Sequence, residues 1–131
     1  MKKFIYGLFS FFTLISVQGQ SLKSIKNNLQ SSIDGKKEKL TKISDAIWDA
    51  AETSLEEFTS SKILKDYARE NDFEVIENVA DIPTAFMAKY GSGKPVIGIL
   101  GEFDANAGIS QKRKPIKEAR IPGAAGHGCG H

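Results

Sequence analysis

The segment His127-Gly128-Cys129-Gly130-His131 gathers the chain's one cysteine and both of its histidines. Thiolate and imidazole are ligands that zinc accepts at about 2.0 to 2.3 Å. Glycine at 126, 128 and 130 would cost a helix about 1 kcal/mol each relative to alanine, so the segment is expected to run extended or looped. Alternate side chains of an extended chain share one face, which lets His127, Cys129 and His131 point together. A zinc site takes about four ligands, or three plus water, and the sequence holds no further Cys or His. These residues therefore read as part of a metal site. A glycine-rich turn with an incidental cysteine is the other reading.

A second group of candidates lies upstream. The apolar run Val96 to Leu100, bounded by turn residues, is expected to be a fully buried central strand. Gly101-Glu102-Phe103-Asp104-Ala105 follows, placing Glu102 and Asp104 on one side at the carboxyl end of that strand, where open α/β sheets bind ligands. Acidic residues also simply end strands and start turns. Residues 105 to 126 are expected to form a long loop of the kind that often carries function.

The elements that must hold these residues are helices first and strands second. From Ser21 to about Asn71 the period is helical, with Leu40, Ile43, Ile47 and Ala50 on one face and Ile63, Leu64, Tyr67 and Ala68 on another. Gly35 is expected to separate two early helices, Ser60 or Ser61 to cap the helix carrying Ile63, and Asn71 to stop it. Strands are expected over Phe73 to Val79 and Thr84 to Tyr90. Gly91-Ser92-Gly93-Lys94-Pro95 superficially matches a phosphate loop, but Ala88 stands where a glycine is needed and Pro95 follows the lysine, so a hairpin turn is expected there.

Lys2 and Lys3 precede an apolar run from Phe4 to Val17, and Val17 and Gly19 occupy the small-residue positions before a cleavage point. The run is shorter than the roughly 18 residues of a spanning helix. Residues 1–19 are thus expected to be a secretory signal peptide, with export to the periplasm or the medium, and residues 20–131 the mature part. Gln20 and not a cysteine directly follows the cleavage point, so no stable membrane anchor is expected. Removing 1–19 takes away two lysines and no acid, which brings the chain's 18 basic and 16 acidic residues into balance. A neutral chain argues against a nucleic-acid or anionic-membrane role, and Lys112-Arg113-Lys114 is expected to be a solvated loop. One cysteine cannot form an internal disulfide.

Several motifs occur in register with a known family. Trp48-x-x-Ala51-Glu52, Glu57-Phe58-Thr59-Ser60-Ser61, Ile82-Pro83-Thr84-Ala85-Phe86, Gly91 to Gly98, Gly101 to Ala105, Gly108-Ile109-Ser110-Gln111 and Gly126 to His131 together resemble the amino-terminal part of a zinc-type amidohydrolase of the aminoacylase and carboxypeptidase-like metallopeptidases. The resemblance runs from about Ala46 to His131. It implies an α/β fold, helices then a mixed β-sheet, forming the N-terminal part of a di-metal exopeptidase-like catalytic domain. It implies that Cys129 and His131 bind a divalent metal, Zn2+ or Mn2+, that His127 lies behind the ligands, and that Asp104 supports them. Glu102 stands where other branches place a histidine. The activity implied is hydrolysis of an amide bond in a small acyl- or aroyl-amino acid or dipeptide, with a glutamate base that this chain does not contain, in a protein that forms homo- or hetero-oligomers when full length. The alternative is a truncated, non-catalytic product that serves as a weak metal-binding or interaction module.

Overall fold

The computed structural model describes residues 21–128. The signal-like segment, Cys129 and His131 lie outside the described residues. Two helices precede a small sheet: α1 (Leu22–Ala50), α2 (Phe58–Glu70), β1 (Glu74–Glu77), a 3-10 turn (Val79–Asp81) and β2 (Phe86–Lys89). The chain divides at Gly35 into two compact units.

In the first unit Ser21 caps α1, its Oγ accepting from the backbone N–H of Ser24 at 3.2 Å. Leu22, Ile25, Leu29 and Ile33 recur at helical spacing and are all exposed. Gly35 does not break the helix as the sequence led us to expect. A single glycine costs about 1 kcal/mol, which a run of strong helix formers from Lys36 to Leu40 offsets.

In the second unit α1 ends where Ala51 turns into the left-handed region at φ 46°. Lys39 pairs with Glu70 at 3.0 Å, and Lys36 donates to the Asn71 side chain at 3.2 Å, tying α1 to α2. The serines expected to cap α2 lie inside it instead, and both are buried. Glu52 has taken the capping role: its carboxylate accepts from the backbone N–H groups of Thr59 and Ser60, each at 2.8 Å. Asn71 does stop the helix, its side-chain amide donating to the Tyr67 carbonyl at 2.8 Å.

The two strands form an antiparallel pair with Glu74 opposite Lys89 and Glu77 opposite Phe86. Glu77 also meets Lys65 at 2.6 Å and Arg69, joining β1 to α2. Beneath them the Thr84 hydroxyl donates to the Glu57 carboxylate at 2.7 Å, both residues being buried. Helices followed by a small sheet agree with the expected α/β order, and the only parallel pairing among the described residues is an isolated bridge between Thr53 and Ala105.

The central strand is absent among the described residues. Val96 to Leu100 pairs with nothing there, and Val96 and Ile99 are 85% and 95% exposed. A continuous apolar run specifies burial on both faces, but β1 and β2 pair only with each other. The hairpin expected over residues 91–95 is accordingly a bend, with Gly91 and Gly93 at φ 76° and 95°, where side chains are rarely tolerated.

Candidate functional site

The loop from Ala105 to Gly126 is closed at its base. Asn106 and Gly126 exchange backbone hydrogen bonds at 2.9 and 3.0 Å, and Ser110 N–H donates to the Ala124 carbonyl at 3.0 Å. This antiparallel bridge needs glycine at 126, because a Cβ there would lie 2.7 Å from the Ile109 carbonyl oxygen and 2.8 Å from Ser110 Cα. On its other side the base of the loop is anchored to the α1–α2 connection, where Ala105 N–H donates to the Glu52 carbonyl at 2.7 Å. Ala105 is the one buried apolar residue among those described.

Glu52 therefore serves two elements, its backbone holding the loop and its side chain capping α2. Burial acts to raise the Glu52 carboxyl, and the hydrogen bonds from Thr59 and Ser60 outweigh it, so the group sits below its ordinary value.

The basic cluster is exposed, as expected of a solvated loop, and its charges are also paired within the fold. Lys112 and Lys114 both reach Glu118, Lys114 at 2.7 Å. Those two ammonium groups, Lys112 foremost, hold the Glu118 carboxyl below its usual value. Arg113 pairs with Asp45 at 2.9 Å and Arg120 with Asp49 at 2.8 Å, and both guanidinium groups lie over the Trp48 ring, 4.4 and 4.9 Å from its centroid.

At the end of the loop the His127 Nε2 lies 3.1 Å from the Ile47 carbonyl oxygen. A carbonyl only accepts, so Nε2 carries a proton in this contact. Asp104 is half-buried, two residues before Asn106, and its carboxylate has no hydrogen-bonding or ionic partner among the described residues. Among the described residues no three His, Cys, Asp or Glu side chains converge on one point. Carboxylate and imidazole are nonetheless donors of the type zinc accepts, so Asp104 and His127 fit such a metal by their chemistry.

The motif segments that carry the family resemblance also meet in space. Glu52 touches the Thr59-Ser60 segment and Ala105; Glu57 touches Thr84; Gly126 packs on Ile109 and Ser110. Direct comparison bears the resemblance out. Over 111 residues the chain is 42% identical to one of the subunits of p-aminobenzoyl-glutamate hydrolase from Escherichia coli (strain K12), covering 84% of this chain and 23% of that protein. The chain is thus related to a hydrolase and spans about a quarter of that relative's length. No family model matches the chain, and no solved structure does.

Sequence reasoning missed the Arg113–Trp48–Arg120 contacts and the capping role of Glu52. The available signal was Asp45 and Asp49 four apart on a helix with Trp48 beside them, which makes one face able to receive two cations.

Proposed function

We propose that the chain is part of a metal-dependent amidohydrolase that cleaves an amide bond in a small acyl- or aroyl-amino acid, of which an aminobenzoyl-glutamate is the type the relative's name supplies. The observation that carries this reading is the bridge between Asn106 and Gly126. The bridge joins the segment that follows Asp104 to the segment that leads into Cys129. In this reading Cys129 and His131 are the metal ligands, Asp104 supports them, and His127 holds the segment to α1. Zn2+ or Mn2+ would supply a Lewis acid and an acidified water.

The residues of this chain contribute binding and orientation. Asp104 brings a negative charge that can hold a metal ligand or its proton in place, and His127 spends its Nε2–H on Ile47, which fixes the ring. The relative is a subunit of a hydrolase, which supports assembly into a homo- or hetero-oligomer. Export follows from the Lys2-Lys3 start and the apolar run after it. Among the described residues no helix is long and apolar enough to cross a membrane.

Zinc content per chain, measured after dialysis, tests the ligand assignment. Cys129→Ala and His131→Ala should each lower it, and a His127→Ala chain should lower affinity by about 10- to 100-fold or less. Unchanged content in both ligand variants would remove the reading.

A further inference from the structure

We infer that Trp48, gripped by Arg113 and Arg120, is a positioning residue that fixes the long loop on the last turns of α1 and so sets where the Gly126–Gly128 segment leads. Asp45, Trp48 and Asp49 lie at i, i+3 and i+4 and share one helix face. The loop brings one arginine to each aspartate, at 2.9 and 2.8 Å, and lays both guanidinium groups over the indole ring between them. Ile47, next to Trp48, accepts from the Ala51 N–H at 3.2 Å and from His127 Nε2 at 3.1 Å, using both lone pairs of a carbonyl in the helix's last turn. Four neighbouring groups of one helical segment, on Asp45, Ile47, Trp48 and Asp49, thus hold three points of the loop, at residues 113, 120 and 127.

The charge arrangement explains how an exposed patch can act as a fixing device. Each arginine is neutralised by its own aspartate, so the two cations share one ring without net repulsion. Glu118 takes up Lys112 and Lys114 within the loop, leaving the arginines to α1. Without such ties, closing a loop of this length is entropically costly and its end would wander. The consequence for a bound metal rests on the metal reading above, whereas the tie itself does not.

The test uses the 131-residue chain and two readouts. Hydrogen exchange at the Asn106 and Gly126 amides reports closure of the loop, with the amides of the hydrogen-bonded pairs of the β1–β2 ladder as control for global unfolding. A titration with zinc ions alone reports the consequence. Trp48→Ala should speed exchange at Asn106 and Gly126 by about 5- to 30-fold, leave the sheet amides near their original rates, and weaken zinc binding by a similar factor. Trp48→Phe should recover most of both. Asp45→Arg should loosen the loop, and the charge-swapped pair Asp45→Arg with Arg113→Asp should tighten it again. Unchanged exchange in Trp48→Ala, or a charge-swapped pair no better than its single variants, would overturn the inference. A wild-type chain that binds no zinc would sink the metal reading while the exchange rates still judge the clamp.

Discussion

His127 and Ile47 meet across 80 residues of chain, the imidazole Nε2 lying 3.1 Å from the carbonyl oxygen. The contact joins the end of the long loop to the end of α1 and decides the histidine's tautomer. Nitrogen-15 NMR of the neutral ring should therefore find the proton on Nε2, with Nδ1 unprotonated. A majority of the Nδ1–H form would show that the contact does not hold in solution.

Gly126 and Gly128 both sit close to Ile109, yet they differ in what an added methyl group would strike. At 126 it meets the backbone of Ile109 and Ser110, which cannot yield without opening the Asn106 bridge. At 128 it meets the tip of the Ile109 side chain, which can rotate away. Gly126→Ala should cost about 1 to 3 kcal/mol in a urea melt, and Gly128→Ala clearly less. Equal costs would mean that the bridge is not the constraint.

The Glu52 cap makes a pH-dependent contribution. Its folded-state value is lowered, so its stabilisation is complete above the unfolded value, about 4.3, and is lost as pH falls through the lower folded value. An acid-unfolding curve should show this loss. Glu52→Gln should be less stable near neutral pH and should narrow the gap to wild type as pH drops. A constant gap down to about pH 2 would remove Glu52 as the source.

The exposed run from Val96 to Leu100 presents backbone unpaired among the described residues beside bare apolar side chains, which is a template for strand pairing between chains. Light scattering of the purified 131-residue chain should rise with concentration. Val96→Lys with Ile99→Lys should suppress it. Scattering unaffected by both lysines would place the sticky surface elsewhere.

How much of this was legible in the residues follows from the range of each signal. The helices and both strands show in local periodicity, and Asn71 shows as a stop, because those signals span a few neighbours. Gly35 and the Ser60-Ser61 pair misled because local propensity was outweighed: a long run of helix formers spans Gly35, and a carboxylate eight residues before Ser60 capped α2. The pattern at Val96 to Leu100 encodes a burial that no described residue supplies. In the candidate site Cys129 and His131 stand out by residue type and spacing, and the roles proposed for them and for Asp104 come from the family resemblance. The Trp48 contacts were not legible, because they join residues more than sixty positions apart whose charges look like ordinary surface.

The central claim is that Cys129 and His131 bind a divalent metal. Cobalt substitution tests it most directly, because a thiolate bound to Co2+ gives an intense charge-transfer absorption that nitrogen and oxygen ligands do not. The wild-type chain at saturating Co2+ should show that band, His131→Ala should need substantially more metal to reach it, and Cys129→Ala should abolish it. A wild-type chain without the band, or a Cys129→Ala chain that keeps it, would contradict the account.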